Sequence, residues 1–216
     1  MRMAERGRPR NFDRAQALHK AMDVFWSKGY DGASLTDLTA AMGINSPSLY
    51  GAFGSKEGLF REAVELYRET EGGAARRALQ DAPTAREAIQ SMLLASAERF
   101  TAPGTPSGCM IVLGAPAGCM NQTGVGDFLG DNRREMQNRI LARLNAGASD
   151  GELPASADLK SLAAFYTTVL HGMSIQARDG ATRKTLQAVA RQAMCAWDAL
   201  TGSTPPSGLP PGRVRA

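Results

Sequence analysis

The chain has 216 residues, of which 43% are hydrophobic and 21% charged, a usage that favours a globular protein and excludes disordered and collagen-like classes. Its three cysteines, Cys109, Cys119 and Cys195, are too few and odd in number for a disulfide framework, which favours a reducing compartment. No stretch approaches the roughly 18 apolar residues of a membrane span, and no apolar segment follows the basic N-terminus. We therefore expect a cytoplasmic protein with no membrane partner.

Positive charge is concentrated at the N-terminus. The formal net charge is +4, a mild excess that permits a polyanionic partner without requiring one. The first ten residues contain four arginines and one acidic residue, Glu5. Residues 1–12 are therefore predicted to form a flexible basic arm, which is either a solvated tail or an element that contacts a polyanion.

Residues 13–55 begin with two predicted helices. Apolar residues recur at three- and four-residue spacing over residues 13–29, which predicts a first helix with an aspartate as its N-cap. Ser34 is followed three residues later by Asp37, an arrangement close to a capping box. This pair predicts the start of a short second helix that ends at Gly43.

A third short helix follows a tight turn. Ser46 is expected to cap it, with Pro47 at its first position, where a missing N–H costs nothing. Its outward positions carry small or hydrogen-bonding residues, whereas Leu49 and Phe53 are expected to point inward. Two short helices joined by a tight turn and braced by a preceding helix are typical of helix-turn-helix proteins, which place a recognition helix in the DNA major groove.

The rest of the chain is also predicted to be helical, since no segment shows sustained period-two alternation. The expected fold is all-α, with about nine helices. From residue 202 a Ser-Pro-Gly tail is predicted to be disordered. The helices are expected at about residues 56–71, 84–101, 109–121, 125–147, 156–179 and 181–201.

The segment at residues 48–60, SLYGAFGSKEGLF, carries a specific resemblance, together with Phe25, Gly29-Tyr30, Ser34-Leu35, Leu38, Ala41 and Gly43. This pattern covers about the first 65 residues and resembles the signature of the TetR family. The resemblance implies a helix-turn-helix domain at residues 13–55 and a ligand-binding and dimerisation domain at residues 56–201. It also implies a homodimeric repressor of double-stranded operator DNA that a small-molecule effector releases.

The resemblance assigns roles on DNA to individual residues. Tyr50 and Lys56 are expected to contact phosphates, as is Ser34 or Thr36, and hydroxyl and ammonium groups suit such contacts. The alternatives are a core position for Tyr50 and a solvated charge at Lys56. Base contacts are expected from Asn45, Ser46, Pro47, Ser48 and Gly51.

The arm and the third helix add two further expectations. Arg8 and Arg10 resemble a minor-groove hook, because a narrow groove has the negative potential that attracts arginine. Many family members carry an aromatic-histidine pair where this chain has Gly51-Ala52, so we expect fewer backbone contacts at that point.

The later helices are apolar over more than one face. A helix of this kind buries one side in its own domain and the other, we expect, against a partner subunit. The predicted dimer interface contains Tyr166, Leu170, Val189, Ala193 and Trp197. The predicted effector pocket, whose members are alternatively ordinary core residues, contains Met92, Phe100, Cys109, Met110, Phe128, Phe165, His171 and Met173.

Cys109 stands at the expected N-terminus of a helix, where the helix dipole would lower the pKa of its thiol. The Gly108-Cys109-Met110 segment also resembles that of family members that sense electrophiles or oxidants; the alternative is a small buried apolar residue. His171 is expected to be a ligand contact, an interface residue or a buried histidine.

One rival function is a small helical enzyme with Cys109 as nucleophile and His171 as base. Another is a DNA-binding architectural protein without a ligand. No metal site or cofactor is expected, because no cluster has metal-ligand spacing.

Overall fold

The computed structural model describes residues 12–114 and 124–202. Within these ranges the regular structure is entirely helical, which confirms the all-α class. Two of the eleven helical segments are only four and five residues long, so nine longer helices remain, in agreement with the predicted number. In chain order they are α1 (Arg14–Gly32), α2 (Leu35–Met42), α3 (Ser46–Phe53), α4 (Lys56–Glu69), α5 (Gly73–Asp81), α6 (Ala85–Phe100), α7 (Met110–Leu113), α8 (Gly124–Ser149), α9 (Leu159–Arg178), α10 (Arg183–Cys195) and α11 (Trp197–Thr201).

Helix bounds differ from the predicted ones mainly where the backbone bends. Gly29, with φ 71°, makes a kink inside α1, and the helical segment continues to Gly32 beyond it. Of the helix predicted at residues 109–121, the described part contains α7, which ends at Leu113. Residues 115–121 lie outside the described residues. The last predicted helix is divided at Ala196 into α10 and α11.

The described residues form two compact units. The head unit comprises residues up to Gly73 together with Ala102–Asn132, and the body unit comprises Ala74–Thr101 and the residues from Arg133 onward. The head unit thus contains α4, α7 and the beginning of α8 besides the three N-terminal helices. The sequence did not indicate this grouping, and the domain bounds proposed from it remain a prediction.

Aromatic side chains fill the core of the head unit. Phe25 packs edge-on against Phe60 with ring centroids 5.0 Å apart, and Trp26 packs edge-on against Tyr67 at 4.9 Å. All four rings are buried, so α1 and α4 are held in one core. Met110 of α7 is buried in the same core, and the Trp26 indole N–H donates to the Gly108 carbonyl oxygen at 3.0 Å.

Candidate functional site

The second helix begins with the predicted capping box. The Ser34 hydroxyl oxygen accepts from the Asp37 backbone N–H at 3.0 Å, and the Asp37 carboxylate accepts from the Ser34 backbone N–H at 3.0 Å. Lys28 pairs with the same carboxylate at 2.6 Å. Hydrogen bonds from Lys28 and Ser34 lower the pKa of Asp37 to about 2. The capping carboxylate is therefore charged throughout the physiological pH range.

The N-cap of the third helix lies one residue earlier in the chain than expected. Asn45, not Ser46, is the N-cap: its side-chain oxygen accepts from the Ser48 backbone N–H at 2.9 Å. Asparagine satisfies the exposed N–H groups of a first turn as well as serine does. Ser46 is therefore the first helical residue and Pro47 the second. The Asn45 side-chain oxygen is engaged in starting α3, which leaves it less suited to base contact than expected.

The outward face of α2 and α3 is exposed and polar. Leu49 and Phe53 are buried, as predicted, whereas Tyr50 is 45% exposed. This exposure decides against a core position for Tyr50. The half-buried members of the predicted DNA-contacting set are Ser48 and Lys56. The exposed members are Ser34, Thr36, Asn45, Ser46, Pro47, Tyr50 and Gly51.

Lys56 is the first residue of α4, and its side chain lies over the ring of Tyr30. Its ammonium nitrogen lies 4.4 Å from the centroid of the Tyr30 ring, within the range of a cation–π contact. Burial lowers the pKa of Lys56, and the negative charge of Asp31 opposes this shift. The side chain is therefore not a freely solvated charge.

Arg14 is an important contact residue that the sequence analysis did not identify. Its Nη2 donates to both carboxylate oxygens of Glu62 at 2.8 Å and to the Ala52 carbonyl oxygen at 3.3 Å. The guanidinium also lies 4.4 Å from the centroid of the Phe53 ring. Arg14 thus joins the start of α1 to the end of α3 and to α4. The predicted arm contacts Arg8 and Arg10 lie outside the described residues.

Cys109 is half-buried and packs against the core of the head unit. It is the N-cap residue of α7, which has only four residues, so the dipole invoked from the sequence belongs to a much shorter helix than expected. On either side of it, Gly108 accepts the Trp26 hydrogen bond and Met110 is fully buried. Cys195 is exposed at the end of α10, and Cys119 lies outside the described residues.

The residues predicted to line an effector pocket are divided between the two units. Cys109, Met110 and Phe128 belong to the head unit, where the Arg61 guanidinium lies 4.6 Å from the Phe128 ring centroid. The other members belong to the body unit, and their surroundings differ. Met92, Phe100 and Met173 are buried, His171 is half-buried and Phe165 is 37% exposed. Because Phe165 is exposed, it is a poor candidate for the lining of an enclosed pocket.

His171 has an environment that disfavours its charged form. Burial lowers the pKa of its imidazole, and the positive charge of Arg133 lowers it further. The histidine is thus neutral near pH 7.

Four of the five residues predicted for the dimer interface are buried within a single body unit. The exception is Val189, whose side chain is 39% exposed. The Tyr166 hydroxyl donates to the Ala193 carbonyl oxygen at 3.3 Å, and burial raises the pKa of this tyrosine to about 12. The buried four are Tyr166, Leu170, Ala193 and Trp197.

A second apolar stripe on α9 is exposed instead. Phe165 and Ile175 are 37% and 48% exposed, and an open groove of about 370 Å³ lies between α9 and α10. From the sequence, Phe165 was predicted to line the effector pocket, and Ile175 was assigned no role. The groove is lined by Val169, Gly172, Met173, Ile175, Gln176, Leu186 and Val189.

Two kinds of site are not found in the part of the chain that the structure describes. No group of three or more His, Cys, Asp or Glu side chains is placed to hold a metal ion there. Among the same residues, no helix is both long and apolar enough to cross a membrane.

Comparisons with known proteins agree with the geometry of the head unit. Residues 17–63 match the family model for bacterial regulatory proteins of the tetR family. The transcriptional repressor ComR of Escherichia coli K12 is 36% identical over 90% of this chain and 93% of its own length. The repressor BdcR of the same organism is 31% identical over 87% of this chain and 90% of its own length.

A solved structure of a relative contains DNA. It is a cysteine mutant of the TetR family transcriptional regulator CifR, complexed with 26-base-pair double-strand operator DNA. The match has 48% sequence identity and a TM-score of 0.84, and it covers 88% of this chain and all of that one. Together with the helix-turn-helix geometry of α1–α3, these similarities show that the chain belongs to the TetR family of DNA-binding transcriptional regulators.

Proposed function

We propose that the protein is a cytoplasmic, homodimeric repressor that binds double-stranded operator DNA through α2, α3 and the start of α4. The observation that carries this proposal is the exposed polar face formed by Ser34, Thr36 and Tyr50 above a fully apolar core. Its similarity to named repressors, and to a relative complexed with operator DNA, supports the same assignment.

Different residues of this surface are proposed to contact the phosphates and the bases. Tyr50 and Lys56 supply a hydroxyl and an ammonium group for phosphates, which fix the position of the protein on the duplex without reading its sequence. The exposed first turn of α3, with Ser46 and Pro47, is left to face the base edges in the major groove. Arg8 and Arg10 are proposed to enter the adjacent minor groove.

Dimerisation is proposed to use the exposed stripe of α9 and the adjoining part of α10. Large apolar side chains on two neighbouring helices, including Ile175 and Val189, are expensive to leave in water. A second copy covers them when the two stripes pack as a four-helix bundle. The two heads then meet half-sites on one face of the DNA, roughly 34–36 Å or a multiple apart.

Release is proposed to follow either binding of a small apolar effector or covalent modification of Cys109. The thiol lies beside the buried Met110 and the Gly108–Trp26 hydrogen bond, so an added group displaces residues that pack on α1. Alkylation forms a bond from sulfur to the carbon of iodoacetamide and expels iodide and a proton. A reactive thiol of this kind does not make the protein an enzyme, and we propose no catalytic role for Cys109 or His171.

DNA binding is tested first. Fluorescence anisotropy is measured with a labelled duplex of the DNA flanking the protein's own gene, over a salt series. Tyr50→Ala and Lys56→Ala are expected to weaken binding without changing which sequence is preferred. The matched control is Lys184→Ala, an exposed lysine of α10, which leaves binding unchanged. Unchanged affinity in both head variants rejects this surface, and salt-dependent binding without sequence preference supports the architectural alternative.

Release is tested separately with iodoacetamide or hydrogen peroxide. Cys109→Ser is expected to bind the same duplex normally and to stay bound after treatment, whereas the wild-type protein dissociates. The controls are Cys195→Ser and Cys119→Ser, which respond as wild type does. Release of the Cys109→Ser protein equal to wild type excludes the thiol and leaves a non-covalent effector as the trigger.

A further inference from the structure

We propose that Tyr30 is a positioning residue for operator binding, whose ring holds the Lys56 ammonium group ready for a DNA phosphate. The inference rests on the proposed DNA-binding function and adds a residue that lies outside the predicted contact set. Its observation is the 4.4 Å separation between the Lys56 nitrogen and the centroid of the Tyr30 ring. The face of an aromatic ring carries negative potential and attracts a cation at this distance.

The ring itself has a fixed position. It packs edge-on against Phe60 with centroids 5.1 Å apart and stacks on Phe25 at 6.3 Å. The Tyr30 backbone N–H donates to the Gly114 carbonyl oxygen at 2.8 Å. Side-chain packing and a backbone hydrogen bond therefore hold the half-buried ring against the core, and the ring holds the lysine.

Lys56 occupies a place where helix stability alone disfavours a cation. It is the first residue of α4, next to the N-cap Ser55, and the N-terminus of a helix carries partial positive charge. The Tyr30 ring and the charge of Asp31 offset this repulsion. A lysine at this end of α4 does not stabilise the helix, but it is well placed to bind an anion outside the protein.

Pre-orientation is the physical benefit to binding. A free lysine side chain loses rotamer entropy when it is fixed on a phosphate. A lysine already held against an aromatic face loses less, so its phosphate contact contributes more to affinity. Removing the ring attraction is expected to weaken operator binding by about two- to fivefold, the size of one exposed cation–π contact. Lys56 still reaches the phosphate in that variant, so the slope of log K against log salt stays unchanged.

The experiment uses full-length protein with phenylalanine or 3,4,5-trifluorophenylalanine at position 30. Both residues keep the shape of the ring, but fluorination weakens its negative face, so folding and cation attraction are separated. Affinity is measured by anisotropy on a fluorescein-labelled duplex that the wild-type protein selects from a random pool. Tyr30→Phe is expected to bind like wild type, and the fluorinated protein two- to fivefold more weakly at an unchanged salt slope.

The same substitutions are repeated in a Lys56→Gln background, where fluorination is expected to have no effect. If the phenylalanine and trifluorophenylalanine proteins bind with equal affinity while Lys56→Gln weakens binding, the role of Tyr30 is overturned. The proposed phosphate contact of Lys56 then still stands. Equal losses in both backgrounds also overturn the role of Tyr30, because they identify it as a packing residue. No effect of Lys56→Gln overturns this inference and the proposed phosphate contact together.

Discussion

Replacing Arg14 by glutamine is expected to destabilise the head unit by about 1.5–2.5 kcal/mol and to leave the salt dependence of operator binding unchanged. Arg14 follows directly on the basic arm, so a phosphate contact is the obvious alternative for it. In the folded head its guanidinium is engaged by Glu62, the Ala52 carbonyl and the Phe53 ring. The prediction therefore separates a structural arginine from a DNA-binding one.

The magnitude follows from the three contacts. The paired side chains of Arg14 and Glu62 are 37% and 39% exposed, so solvent limits their ion pair to roughly 0.5–1 kcal/mol although Nη2 contacts both carboxylate oxygens. The cation–π contact with Phe53 adds about 0.5–1 kcal/mol at such an exposed site. The 3.3 Å hydrogen bond to Ala52 is long and contributes less, on the order of 0.5 kcal/mol.

Urea unfolding monitored by circular dichroism, at one protein concentration, measures the loss. Arg14→Lys is the matched control: it keeps the charge but not the planar guanidinium group, and about half of the loss is expected. A double-mutant cycle with Glu62→Gln is expected to give a coupling of roughly 0.5–1 kcal/mol. Zero coupling, or a salt slope about one unit shallower in Arg14→Gln, refutes the structural role, because the second result is that of a lost phosphate contact.

Three further predictions concern the dimer, the cap of α2 and the body unit. Ile175→Asp is expected to give monomers in sedimentation velocity, whereas the conservative Ile175→Val stays dimeric; a dimeric aspartate variant contradicts the proposed interface. Ser34→Ala is expected to cost about 1 kcal/mol in urea unfolding through loss of the cap, and Ser34→Thr much less. The pKa of His171 is lowered on folding, so its contribution to stability is complete above about pH 6.5 and lost as the pH falls below that value. His171→Gln is expected to flatten the fall in Tm between about pH 6.5 and 5, and an unchanged pH profile contradicts this.

The sequence by itself determined the local features of the head. Asp13 caps α1 and Ser34 forms a box with Asp37, as predicted, because capping depends on residues only two or three positions apart. Leu49 and Phe53 are buried, because their four-residue spacing puts both on one side of a short helix. The same local rules failed at Asn45, where two neighbouring residues were both good caps and the chain used the earlier one.

The tertiary structure decided which distant residues meet. Arg14 pairs with a carboxylate 48 residues away, and Trp26 donates to a carbonyl 82 residues away. Such partners leave no periodic signal, since nothing in the spacing of one helix encodes the side chains of another. The faces of α9 show the same limit: Tyr166 is buried while Ile175 is exposed, although both lie on an apolar helix. Periodicity reveals that a helix has several apolar faces, but only its packed neighbours determine which of them remain for a partner.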